Sequence, residues 1–156
     1  MSLLRRAARL MLGWVFVHSG IDVLRNPHPR AEVAGPTIDR ISQAAPFLSN
    51  DRVTLVRANA AVQLTAGTML AVGRAPRLAA LTLAASLVPT TIGGHSYWTI
   101  EDPARRMQNR IHFYKNLAIL GGLVLAAVDT GGRPSPSWRA RRAARRRSAA
   151  GRQISR

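Results

Sequence analysis

Three of the four histidines in this sequence, His18, His95 and His112, are candidate ligands for a metal ion or a haem iron. Imidazole nitrogen ligates zinc and haem, and a metal site on one helix places two histidines four residues apart. No two of these histidines have that spacing. Cysteine is absent, which excludes thiol catalysis, disulfides and thiolate metal sites. We therefore predict that the histidines line a polar site and that no metal is bound.

The common catalytic motifs do not occur in the chain. We find no Gly-rich phosphate-binding loop, no nucleophile elbow, no pair of carboxylates at a useful spacing and no helical zinc-protease motif. Any redox role would need a borrowed cofactor. The prediction is a protein without catalytic residues of its own.

Four apolar segments must position the polar residues. Residues 78–100 are a 23-residue run without Asp, Glu, Lys or Arg, long enough to cross a bilayer. Residues 10–21, 58–73 and 116–128 are shorter uncharged runs that reach this length when one or two ionisable end groups are included. The alternative is a soluble four-helix bundle, but its helices would each show a charged face, and none does. We predict an all-α fold of four transmembrane helices, at about 4–24, 53–73, 77–98 and 111–129.

Flanking arginines predict the orientation of these helices. The chain carries 23 basic and 7 acidic residues, and all the basic residues except Lys115 are arginine. Cytoplasmic loops collect Lys and Arg, and here the N-terminus, the loop between helices two and three and the C-terminal tail are the basic regions. We expect both termini in the cytoplasm and loops 25–52 and 99–110 outside. The first segment is expected to remain as a span, since His18 and Asp22 interrupt it in a way that signal peptides do not show.

This arrangement brings most polar residues to one level of the membrane, its outer half. An isolated charge at the bilayer centre costs about 2.5 to 3.5 kcal/mol, so these groups should face each other or the interface. We predict one ion pair between Asp22 and Arg57, which His18 can join from one helical turn away, and another from Lys115 to Glu101 or Asp102. The full candidate cluster comprises His18, Asp22, Arg57, Asn59, His95, Trp98, Glu101, Asp102, His112, Lys115 and Asn116.

Three interpretations of this cluster remain open. The groups can lock together a bundle that has no hydrophobic drive between its helices. They can instead form a pocket for a polar headgroup, a quinone-like ring or a proton, or they can reach the interface without specific partners. Residues 89–94, which begin with Pro89, are predicted to be locally unwound, and such a break is either a packing accommodation or part of a site.

The C-terminal tail differs sharply from the rest. Residues 1–132 form the predicted transmembrane domain, whereas residues 133–156 contain nine arginines and no acid. This tail lacks apolar residues for a core, so we expect it to be disordered and to bind anionic lipid headgroups at the cytoplasmic surface. Nucleic acid binding is the weaker alternative, because the isolated Trp138 is the only aromatic residue that accompanies the arginines and gives no series of stacking rings. An acidic soluble partner is a further alternative.

Several motifs together resemble the DoxX family, particularly its actinobacterial branch. They are VPTTIGGHSYW at 88–98, EDPAR at 101–105, Gln108, HFYKNLAILGG at 112–122, SGIDVLRNP at 19–27, GRAPR at 73–77 and Arg5-Arg6. The most specific element is the aromatic-Trp pair Tyr97-Trp98 followed by Phe-Tyr-Lys-Asn-Leu at 113–117. The resemblance covers most of the chain except the tail. Relatives often carry Phe-Trp and a stronger acidic run where this chain has Tyr97-Trp98 and the segment 99–102.

The resemblance implies a multi-pass protein of the bacterial cytoplasmic membrane, of actinobacterial type. Family members are associated with quinone-linked sulfur oxidation and with membrane-bound oxidoreductase assemblies that counter oxidative stress. We therefore expect a non-catalytic membrane component or anchor of an oxidoreductase system, with a soluble or membrane redox enzyme, and a second copy of the chain, as its expected partners. The first alternative is a quinone-binding oxidoreductase subunit, with quinone as its only expected cofactor. The second is a small-molecule transporter, for which four helices give a narrow path.

Overall fold

The computed structural model describes residues 3–44, 51–130 and Arg142. Within these residues the chain is helical and contains no strand. Its helices are α1 (Leu3–Arg25), α2 (His28–Ala44), α3 (Arg52–Val72), α4 (Pro76–Gly94) and α5 (Pro103–Val128), with a 3₁₀ turn at Tyr97–Thr99. Four segments are long and apolar enough to cross a membrane, namely α1, α3, α4 with its 3₁₀ turn, and α5. The predicted all-α fold with four spans is confirmed. The tail prediction lies outside the described residues, apart from Arg142.

The segment between the first two spans is a fifth helix, α2, and the prediction of a loop there was wrong. Its buried residues Ala31, Gly35 and Ile38 recur at intervals of four and three, so they form one helical face that packs against α3 and α4. Two of these residues are small, and prolines and charges surround them. The apolar face was therefore too weak a signal to recognise in the sequence.

The last span begins earlier than predicted, at Pro103 rather than near residue 111. Asp102 caps this helix, since its carboxylate accepts a hydrogen bond of 2.7 Å from the backbone N–H of Arg105. An acidic N-cap followed by proline at the first helical position is a strong start signal. The arginines of the first two turns concealed it, because they interrupt the apolar run.

Residues 89–94 stay helical, so the locally unwound stretch predicted there does not form. Pro89 lies inside α4 and cannot donate a backbone hydrogen bond. The hydroxyl groups of the next two residues bond to carbonyls of the preceding turn: Thr90 to Ser86 and Leu87, and Thr91 to Leu87 at 2.7 Å. The helix therefore continues through Pro89 to Gly94.

Glycines bring α1 and α3 into backbone contact. A β-carbon built at Gly13 would lie 2.6 Å from the carbonyl oxygen of Gly67, and one at Gly20 would lie 3.0 Å from that of Ala60. Because Gly20 meets an early residue of α3 and Gly13 a late one, the two helices are antiparallel. Small residues permit such close approach, which strengthens van der Waals contact where no hydrophobic effect operates between helices.

A tight turn joins α3 to α4. Gly73 has a φ of 75°, and the backbone N–H groups of Gly73 and Arg74 bond to the carbonyls of Leu70 and Met69. This is a Schellman motif, which needs a left-handed residue after the helix. Pro76 is then the first residue of α4. The two helices pack against each other and against α1 and α5 around a core that includes Phe16, Leu70, Leu83 and Leu123.

Charged residues tie the start of α1 to the end of α5. The guanidinium of Arg9, 8% exposed, lies 3.3 Å from the carboxylate of Asp129, and Arg5 lies 3.6 Å from the same carboxylate. Arg77 at the start of α4 donates a hydrogen bond of 2.8 Å to the carbonyl of Ala127. We call this the terminal end of the bundle. Because α1 begins and α5 ends here, the start of the first span and the end of the last span lie on the same side of the bundle.

Candidate functional site

The opposite end of the bundle, where α1 and α4 end while α3 and α5 begin, we call the remote end. A layer of polar side chains extends from there to the middle of the bundle. Helix geometry places His95 about 14 Å further along the axis of α4 than Ser86. Between these two levels, side chains of α3, α4 and α5 form three sets of hydrogen bonds.

His95 and Asn109 form the outermost set. The Nδ1 of His95 lies 3.1 Å from the Oδ1 of Asn109, and the Nδ2 of Asn109 donates a bond of 3.0 Å to the carbonyl of Arg105. This second bond fixes the orientation of the amide, so its oxygen faces the histidine. Nδ1 of His95 therefore carries the hydrogen, and the neutral imidazole keeps Nε2 as a proton acceptor.

His112 stacks on His95, with ring centroids 5.1 Å apart and ring planes inclined by 17°. Two positive charges at this distance would repel, so the pair favours at most one protonated ring. Parallel rings also do not direct two nitrogen lone pairs at one point. Across the described residues, no three or more His, Asp or Glu side chains are grouped as metal ligands.

The middle set joins α4 to α5. Asn116 donates a hydrogen bond of 3.1 Å from Nδ2 to the hydroxyl oxygen of Thr91, which in turn donates to the carbonyl of Leu87. Thr91 is buried and Asn116 is half-buried. The single hydrogen of the Thr91 hydroxyl is used in this chain of bonds and cannot be donated to a ligand. The Thr91 side chain therefore serves to hold α4 and α5 together.

The deepest set joins α3 to α4. Gln63 donates from Nε2 to the hydroxyl of Ser86 at 2.9 Å, and Ser86 donates to Oδ1 of Asn59 at 2.7 Å. Gln63 and Ser86 are each 7% exposed. Buried polar groups in a membrane need such partners, because lipid offers none.

Four residues of these sets were missed in the sequence: Gln63, Ser86, Thr91 and Asn109. The first three are uncharged polar residues inside otherwise apolar runs. That position is a signal, since such residues often face the bundle interior in membrane helices. The candidate cluster included the amides of Asn59 and Asn116 but none of these four side chains.

An aromatic cluster borders the histidine pair. The ring of Tyr97 lies 5.2 Å from Trp98 and 5.5 Å from Phe113, and Phe113 lies 5.9 Å from Tyr114, all in edge-to-face geometry. Trp98 is 55% exposed. Aromatic rings with one polar edge favour the level of lipid headgroups.

The predicted ion pairs do not form. His18 joins Asp22, as expected, with Nδ1 3.3 Å from Oδ2, whereas Arg57 is exposed and no ion pair in the described chain connects it to Asp22. The two residues are on neighbouring helices, but the glycine contacts between α1 and α3 set a different rotation of the side chains. Their assignment to a binding site stays a prediction.

The second predicted pair is absent for a local reason. The Asp102 carboxylate caps α5, and Lys115 lies more than three turns further along the same helix. Glu101 and Lys115 are both exposed, and the described ion pairs include neither. Because α5 begins at Pro103 and not at residue 111, the expected loop that would bring these residues together does not exist.

The four apolar spans and the polar layer between them define a multi-pass helical membrane protein. The model of the DoxX family matches residues 4–96, more than half of the chain. The chain therefore belongs to the DoxX family. No curated protein and no solved structure matches it.

Proposed function

We propose that this protein is a non-catalytic membrane component that anchors an oxidoreductase system in the bacterial cytoplasmic membrane. The observation that carries this proposal is the exposure of α5. Of the 18 residues in the most apolar stretch of α5, 11% are buried within the bundle. The corresponding share is 28% in each of the other three spans. A helix that contacts its own bundle so little has a broad face available to another membrane protein.

The hydrogen bonds of the polar layer support the same proposal. The hydroxyls of Ser86 and Thr91 and the amides of Gln63 and Asn116 contact each other or the backbone across helices. Side chains used in this way hold a scaffold together. The association of DoxX relatives with redox assemblies, implied by the resemblance, gives the class of partner.

Affinity purification from native membranes tests this proposal. Ala118 is exposed on α5, and Ala61 is exposed on α3. The full chain and an Ala61→Leu variant should retain a redox enzyme in mild detergent, whereas Ala118→Leu should lose most of it because the added bulk separates the two surfaces. Recovery of no redox enzyme with the unaltered chain would contradict the proposal.

A quinone-binding subunit is the second candidate, favoured by the histidine pair beside the aromatic cluster. Nε2 of His95 can accept a proton from a quinol hydroxyl, and the neighbouring rings can contact a quinone ring. His95→Gln should then abolish co-purification of quinone, while His28→Gln, which changes an exposed histidine on α2, should not. Protein that retains no quinone in either form would remove this candidate.

A further inference from the structure

A groove opens at the remote end between the last turn of α1 and the first turn of α2. Its volume is 410 Å³, within the range of about 300 to 1,000 Å³ typical of small-ligand sites. It is lined by Asp22, Val23, Arg25, Asn26, Pro29 and Arg30. Neither the proposed anchoring role nor the histidine pair uses these residues.

Two arginines, Arg25 and Arg30, line this groove. Neither Arg25 nor Arg30 has an ion-pair partner in the described part of the chain, whereas Arg9 and Arg52 each contact a carboxylate. The Asp22 carboxylate is held by His18 at 3.3 Å. The groove therefore has a net positive charge and two planar donors, the combination that recognises a phosphate through paired hydrogen bonds.

The position of the groove across the membrane indicates that this phosphate belongs to a lipid headgroup. The uncharged run of α1 ends at Ile21, and the groove begins at the next residue. This is where the hydrocarbon region gives way to lipid headgroups. Val23 and Pro29 give the groove an apolar side, which suits the glycerol backbone of a lipid.

We propose that this groove binds the headgroup of an anionic phospholipid, with Arg25 and Arg30 bonding to its phosphate. Asn26 donates a further hydrogen bond from its amide. Asp22 faces the same ligand and weakens its binding. The site lies at the remote end, opposite the terminal end at which α5 ends.

Native mass spectrometry of the full chain in detergent tests the proposal, with phosphatidylglycerol and phosphatidylcholine of equal acyl length as probes. The double variant with Arg25→Gln and Arg30→Gln should bind phosphatidylglycerol at one site about tenfold more weakly or worse. The reason is that it loses at least one charge-assisted hydrogen bond. Arg40→Gln with Arg105→Gln removes two exposed charges from the same end but outside the groove, and should leave that site unchanged. Equal losses in both double variants would overturn the proposal.

Two more variants separate specific contacts from general charge. Arg25→Lys with Arg30→Lys keeps the charge but not the paired donors, so binding should fall between the unaltered chain and the glutamine variant. Asp22→Asn should bind phosphatidylglycerol more tightly. Weaker binding by Asp22→Asn would contradict the geometry.

Competition with inorganic phosphate tests whether the groove binds a phospholipid headgroup or free phosphate. Phosphate alone should not displace phosphatidylglycerol at equal concentration, because it lacks the apolar part. Displacement at equal concentration would identify a site for free phosphate and overturn the lipid assignment, as would equal retention of phosphatidylcholine and phosphatidylglycerol.

Discussion

The two ends of the bundle are held together by different chemistry. At the terminal end, the buried guanidinium of Arg9 contacts Asp129, which Arg5 also approaches. From the remote end to the middle of the bundle, neutral amide, hydroxyl and imidazole groups bond across α3, α4 and α5. A buried charge is costly without its partner, whereas a neutral hydrogen bond adds a smaller amount to stability. The terminal end should therefore be intolerant of change and the remote end more adaptable.

The largest expected effect is that of Asp129→Asn. This change leaves the buried Arg9 without a full negative charge, and loss of a buried partner costs about 3 kcal/mol or more. The free energy of unfolding should fall by that amount in mixed micelles titrated with sodium dodecyl sulfate. Asp39→Asn is the matched control, because the Asp39–Arg52 pair is about half exposed and should be worth at most about 1 kcal/mol. Equal losses would show that burial of Arg9 does not set the difference between the ends.

A smaller effect is expected from Ser86→Ala, in the deepest set of the polar layer. The hydroxyl of Ser86 joins Gln63 to Asn59, and removing it leaves both amides short of a partner. The cost should be about 1 kcal/mol, because hydrogen bonds between membrane helices average about 0.6 kcal/mol. Thr65→Ala is the control, since that exposed hydroxyl bonds only within its own helix, to Ala61. A loss for Ser86→Ala as large as that for Asp129→Asn would erase the contrast.

The smallest effect concerns pH at the remote end. The Thr54 hydroxyl and the backbone N–H of Val53 donate to Asp51, the N-cap of α3, and hold the pKa of this carboxyl below its ordinary value of 3.8. A lowered pKa in the folded state adds stability above pH 3.8, which is lost as the pH falls through the folded value. Asp51→Asn keeps a cap without a charge, so it should remove this dependence. The unfolding midpoints of the unaltered chain and of Asp51→Asn, measured at pH 7 and at pH 3, test this prediction. If the two proteins differ by the same amount at both pH values, the Asp51 carboxylate is not the source of the pH dependence.

Much of the fold was predictable from the sequence, because lipid imposes a simple requirement. A span must be about 20 apolar residues long, and residues 78–100 satisfy this with no charge at all. The fifth helix was not predictable by the same criterion. Its face of Ala31, Gly35 and Ile38 depends on fitting the surfaces of α3 and α4, which no local pattern encodes.

The sequence did not predict which of the candidate residues contact each other. His95 stacks on His112, whereas Asn59 bonds to Ser86 and Asn116 bonds to Thr91. The ion pairs were wrong because which side chains meet depends on the rotation of each helix about its axis. That rotation follows from contacts such as Gly13 against Gly67, and sequence spacing does not reveal it.

The contact between Gly13 and Gly67 also restricts how anything could pass through the protein. A methyl group added at Gly13 has no room beside the Gly67 carbonyl, so the interface of α1 and α3 is narrower than a water molecule along this stretch. An acyl chain or a hydrated ion cannot enter between these two helices. Any passage across the protein would have to lie outside the interface of these two helices.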